Sequence, residues 1–193
     1  DDNRIMHIAG NNLQFGWKKN EYSYYFSNYG SIWGWATWKR AWKLYDVEIS
    51  KYPQFIMDQA LQSIFNNEDE IQFRKSNFNE IFFNGLDTWD FQWTFARLSN
   101  SGLSIVSNKN LIKNIGFNKE ATHTKDVNDL RANLQIEKLN FPLVHPNFIV
   151  RDTFSDNRYF NQVLMRRQDL VESVADKKFT ETKFNDILLK AES

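Results

Sequence analysis

Three short stretches of this chain combine residue types that chemistry on a small polar substrate would need. The first is Ser31-Ile32-Trp33-Gly34-Trp35-Ala36-Thr37-Trp38. Indoles offer flat apolar faces on which the C–H faces of sugar rings can stack, and a glycine lets a ligand approach the main chain. Trp33, Gly34, Trp35, Thr37 and Trp38 are therefore candidates for a substrate wall. The same spacing also fits a tight strand-to-helix corner whose indoles pack inward. The second stretch is Gly85-Leu86-Asp87-Thr88-Trp89-Asp90-Phe91-Gln92-Trp93. If Asp87 or Thr88 caps a helix, Asp90 falls in its first turn, where free N–H groups and the helix dipole favour an ionised carboxylate. Held rigidly beside Trp89, that carboxylate could remove a proton from a hydroxyl as a general base. First-turn acids are also common for purely structural reasons, and Asp87, the second candidate base, is better placed as the cap. The third stretch is Ala121-Thr122-His123-Thr124. A loop histidine such as His123 can ligate a divalent metal or donate to a phosphate.

Other polar groups have plainer explanations. Glu68-Asp69-Glu70 has an acid-x-acid spacing that could hold Mg²⁺ or Mn²⁺, but it opens an expected helix and reads as first-turn acids. His7 lies in an apolar run and reads as a satisfied core residue; His145, between Pro142 and Pro146, reads as structural. The chain holds neither Gly-x-Gly-x-x-Gly nor the phosphate-binding Gly-x-x-x-x-Gly-Lys.

The elements that must position these residues follow from hydrophobic period and punctuation. Strands are expected over 4–9, 22–27 and 103–106, with another around 111–115. Helices are expected over 37–45, with Trp38, Ala41, Trp42 and Tyr45 on one face, then from Pro53 through Phe65, over 69–83 ending at Asn84-Gly85, and over 88–100. Residues 116–131 read as a loop, and two amphipathic helices are expected near 154–167 and 181–190. Mixed strands and helices without a break suggest one α/β unit over 1–150 with a helical extension over 151–193.

Composition bounds the rest. Of 193 residues 41% are hydrophobic and 16% aromatic, enough for a packed core. The 24 basic and 24 acidic side chains cancel, which argues against a nucleic-acid surface and gives no overall attraction to an anionic membrane. With no cysteine, neither disulfides nor thiolate metal sites can form. No apolar run is long enough for a transmembrane helix. A cytoplasmic place, free or peripheral to an inner membrane, is the expectation. The chain opens without Met and reads as a piece of a longer one.

The order of the motifs carries a resemblance. Tyr25-Phe26-Ser27, Trp33-Gly34-Trp35-Ala36-Thr37-Trp38 and Asp87-Thr88-Trp89-Asp90-Phe91-Gln92-Trp93, followed by Ser101-Gly102-Leu103-Ser104-Ile105-Val106, Asn114-Ile115-Gly116-Phe117 and Ala121-Thr122-His123-Thr124, resemble a bacterial group of nucleotide-diphospho-sugar glycosyltransferases of the GT-A type, the hemolytic-protein-like group. The resemblance runs from about Arg4 to Pro146. It implies the C-terminal, acceptor-side part of a GT-A fold, a mixed sheet flanked by helices. It implies a nucleotide-sugar donor, a glycan acceptor and Mn²⁺ or Mg²⁺, with the metal-binding acids upstream of Asp1. By position Asp90 would be the base, His123 a metal or diphosphate contact, and Trp33 to Trp38 part of the sugar wall. A non-catalytic carbohydrate-binding module, or an inactive fragment that self-associates through an unpaired sheet edge, is the alternative.

Overall fold

The apolar run at the start forms a strand, β1 (Ile5–Ala9), and Leu103–Ser107 (β4) lies parallel beside it. Ala9 stands opposite Val106 and Ile8 opposite Ile105, with an irregularity in register between Ile5 and His7. Two antiparallel strands flank this pair: β2 (Tyr24–Ser27) against β4, and β3 (Trp35–Thr37) against β1. The result is a four-stranded mixed sheet of order β2-β4-β1-β3. The computed structural model describes residues 2–116 and 131–165. The expected helix over 181–190 and most of the expected 116–131 loop therefore lie outside the described residues.

Among the described residues six α-helices accompany the sheet: α1 (Lys39–Trp42), α2 (Tyr52–Met57), α3 (Ala60–Ile64), α4 (Glu68–Asn84), α5 (Asp90–Leu98) and α6 (Thr153–Tyr159), the last continued by a π-helical turn over Phe160–Leu164. The fold is thus mixed α/β. α4 matches its sequence signals closely. The Asn67 side chain accepts from the Asp69 N–H at 2.8 Å, three acids fill the first turn, and Gly85 ends the helix at φ 63°. The helix expected from Pro53 through Phe65 is instead two pieces. Phe55 and Ile56 precede Ala60 and Leu61 by five residues, a spacing that puts the second pair on a different face of a continuous helix. Gln59, in the left-handed region at φ 52°, resets the phase. Leu61 and Phe65 then enter the same core as Phe55 and Ile56.

Two other expectations are corrected. The 37–45 helix shrinks to the single turn of α1, because Thr37 pairs with His7 in β3 and its hydroxyl donates to the Met6 carbonyl at 2.6 Å. Residues 111–115 form no strand: Leu111 donates to the Gly10 carbonyl at 2.9 Å, but Ile115 stands 89% exposed and pairs with no strand among the described residues.

α5 is the wedge of the molecule. Phe95 and Leu98 enter the large aromatic core with Tyr52, Phe78, Phe65 and Phe160, while Trp93 and Ala96 pack with Met6 and Ala41 against the sheet. Its Arg97 is wholly buried, donating to Ser104 Oγ at 2.7 Å, and burial with Arg74 nearby lowers its pKa to about 9. α6 is sewn to β2 through Asp156, which accepts from the Ser27 hydroxyl, the Asn28 N–H at 3.1 Å and Arg151 Nε at 2.6 Å. Segment 144–152 runs along the outer edge of β2, held by Ser23 N–H to the Val144 carbonyl at 2.8 Å and Asp152 N–H to the Phe26 carbonyl at 2.7 Å. Among the described residues no helix is long and apolar enough to cross a membrane.

Candidate functional site

The edge strand β3 and the start of α5 bring the two tryptophan motifs together. Trp35 stacks on Trp89 with centroids 5.1 Å apart and planes 26° from parallel, and lies 5.9 Å from Trp42 and 6.1 Å from Trp93. Trp42 stacks on Tyr45 at 4.6 Å and meets Trp93 at 5.2 Å and Trp89 at 6.4 Å. Trp93 is buried, whereas Trp42 and Trp89 keep 40% and 37% of their surface open. The cluster is therefore rooted in the core and ends in two indoles that meet solvent.

His7 anchors its inner end. The buried ring lies 5.3 Å from Trp35, almost parallel to it. Trp93 Nε1 lies 3.1 Å from His7 Nδ1, and the Ser31 carbonyl lies 3.1 Å from His7 Nε2. An indole N–H can only donate and a carbonyl can only accept, so Nδ1 is bare and Nε2 carries the proton. Burial first, and the charge of Arg97 second, push the imidazole pKa down to about 3. His7 is a neutral spacer that fixes Trp93 and the loop at Ser31; the expectation of a satisfied core residue holds. Gly30 is needed beside it, because a Cβ there would stand 2.7 Å from His7 Cδ2 and from Ser104 Oγ.

Asp90 occupies the first position of α5, partly exposed, next to Trp89. The Thr88 hydroxyl donates to its Oδ1, and Oδ2 has no hydrogen-bond partner among the described residues. Burial, followed by the negative charge of Asp90, raises the pKa of Tyr45. The carboxylate thus acts on a ring that stacks on Trp42, which places Asp90 at the open end of the indole cluster. A fixed carboxylate with a free oxygen beside flat apolar rings can hold a polyol and accept one of its protons.

The remaining candidates scatter. Asp87 is exposed and caps nothing; the N-cap position is Trp89, with no side-chain cap. Trp33 sits apart with the Arg131 guanidinium 5.8 Å from its ring centre, and Trp38 carries Arg40 at 5.1 Å. The Thr37 hydroxyl is committed to Met6. Gly34 does have φ 59°, but the side on which a Cβ would stand is filled by Ile112, 2.3 Å from that point. Packing, rather than ligand approach, requires the glycine. His123 lies outside the described residues. In the sequence Trp42 and Tyr45 mark a helix face alone, and Trp93 is one more letter of a motif. Their spacing relative to Trp89 is set by tertiary contact that no local period shows.

A cleft of about 200 Å³ lies on the opposite edge of the sheet, between β2 and residues 146–152, and none of the expected site residues lines it. Among the described residues no group of three His, Asp or Glu side chains is placed to hold a metal ion. No chemistry here is routed through Mn²⁺ or Mg²⁺. In comparisons with family models, curated proteins and solved structures, nothing matches this chain.

Proposed function

We propose that this chain is the acceptor-side, C-terminal part of a GT-A glycosyltransferase domain that moves a sugar from a nucleotide-diphospho-sugar to an acceptor hydroxyl in the cytoplasm. The observation that supports this most is the convergence of Trp35, Trp42 and Trp89 with Asp90, joined to the order of the sequence motifs. The mixed sheet is compatible with such a fold without singling it out.

In this reading the acceptor lays an apolar C–H face on Trp42 and Trp89 and points a hydroxyl at the free Oδ2 of Asp90. Thr88 holds the other oxygen, so the carboxylate cannot rotate away. As the acceptor oxygen bonds to the anomeric carbon, its proton passes to Asp90 and the nucleoside diphosphate leaves with the electrons of the broken glycosyl bond. A single base on the attacking side gives inversion. The donor is held by a part of the fold that this chain does not describe.

The second reading, a glycan-binding module without transfer, draws on the same exposed indoles, which bind sugar faces with no donor present. Transfer from UDP- and GDP-sugars by the complete protein separates the two. The expected result is turnover that falls about 10²- to 10⁴-fold in Asp90→Asn, the usual contribution of a positioned base, with glycan binding retained. An unimpaired Asp90→Asn enzyme removes the base assignment, and glycan binding without turnover of any nucleotide-sugar favours the binding module.

A further inference from the structure

Zero net charge conceals an uneven distribution. Between Trp38 and Tyr45 there are three cations, Lys39, Arg40 and Lys43, and no acid. All three are exposed. Arg40 ties the segment to the sheet, donating to the Asn3 carbonyl at 2.9 Å and the Ile5 carbonyl at 2.6 Å. The side chains of Lys39 and Lys43, one turn apart, have neither a hydrogen-bond nor an ion-pair partner among the described residues. Asp46, the next acid along the chain, accepts from the N–H groups of Glu48 and Ser50 and from the Ser50 hydroxyl. Glu48 is exposed, and Asp90 is held by Thr88.

Apolar side chains stand open beside those lysines. Trp38, Trp42, Leu44 and Val47 are 38%, 40%, 45% and 58% exposed. Trp38 and Trp42 are also one turn apart, each directly before one of the two lysines, while Ala41 between them is buried. Indoles settle at the headgroup depth of a bilayer, and lysines beside them bind lipid phosphates. Such an aromatic and cationic ridge, with its root fixed in a core, is the surface of a protein that lies on a membrane without crossing it.

We propose that the ridge from Trp38 to Val47 docks on an anionic lipid bilayer, with Trp38, Leu44 and Val47 in the headgroup layer and Lys39 and Lys43 on lipid phosphates. Unpaired cations next to exposed apolar groups supply the charge complementarity that selects this partner. Trp42 belongs both to the ridge and to the indole cluster, so docking sets the open end of that cluster at the membrane surface. The proposal does not depend on sugar transfer.

Co-sedimentation of the full chain with phosphatidylcholine vesicles, with and without phosphatidylglycerol, tests it in the absence of sugar and nucleotide. The expected result is binding to the phosphatidylglycerol vesicles alone, weakening as salt is raised. Lys39→Glu with Lys43→Glu should lower the apparent affinity by at least about tenfold, since each cation near such a surface contributes about fivefold. Leu44→Ser with Val47→Ser should lower it as well. All four side chains are exposed, and an unchanged far-ultraviolet circular dichroism spectrum checks that each variant is folded. Failure to bind phosphatidylglycerol vesicles at low salt overturns the proposal. So does a lysine double variant that binds as well as the parent, or equal binding to both vesicle types.

Discussion

At His7 an indole N–H meets one ring nitrogen and a carbonyl oxygen the other, and each contact is about 3.1 Å long. Protonation would put a second hydrogen where Trp93 already points one. The consequence for pH can be given a sign. Above pH 6.5 the ring is neutral in the folded and unfolded chain alike, and its contribution to stability is complete. Between about 6.5 and about 3 only the unfolded chain takes up the proton, so stability falls as pH falls, by about 1.4 kcal/mol per pH unit at most. Ring ¹⁵N shifts should therefore report a neutral Nε2–H imidazole at pH 5; a His7 titration centred at pH 6 would contradict the buried pair. Trp93→Phe removes the donor and leaves Nδ1 bare in the core. Urea unfolding should show a loss of about 1–3 kcal/mol, the cost of a buried acceptor without a partner.

Among the elements, the turns before β3 and α5 decide where the aromatic residues go. The loop from Gly30 to Gly34 is tightly packed at both ends, and its two glycines are required for different reasons. Gly30→Ala would drive a methyl into the His7 ring and the Ser104 hydroxyl, both buried. Gly34→Ala would meet Ile112 and also force a left-handed backbone on a residue that resists it. Each should destabilise the fold by about 1–3 kcal/mol in chemical denaturation, and Gly30→Ala should also perturb the His7 ring signals. α4 was legible from its first-turn acids and its terminal glycine, because those signals are local. β1, β2 and β4 were legible from apolar runs. β3 was not, since three residues, Trp-Ala-Thr, become a strand only by lying against β1. The same limit hid the site: Asp90 and Trp89 could be named from their motif, but the approach of Trp42 and Tyr45 depends on how α1 meets α5.

Across the whole molecule, buried charge joins parts that the chain order separates. Arg151 contacts Asp156 at 2.6 Å, the Ile64 carbonyl at 2.8 Å and Glu70 at 3.8 Å, linking α6, the end of α3 and the start of α4 beside β2. Arg151→Leu removes the cation from two buried carboxylates and leaves them only neutral donors, so the unfolding free energy should drop by about 3–5 kcal/mol, far more than a surface pair would cost. A drop below 1 kcal/mol would mean that solvent reaches the network. Among the described residues the sheet ends on β3, with no strand beside it. Sedimentation velocity across a range of concentrations tests whether that edge pairs two copies, as an uncovered edge can; a single monomeric species throughout argues that three residues are too short to do so.

The stack running from His7 through Trp35 to Trp89 and Trp42 has an optical consequence. Four of the seven tryptophans have ring centres within 6.4 Å of a neighbour, close enough to share electronic excitation. Light absorbed by buried Trp93 can then be emitted from the two open indoles, so the protein's own fluorescence samples the mouth of the cluster. Anything that settles on Trp42 or Trp89 changes that emission without an added label.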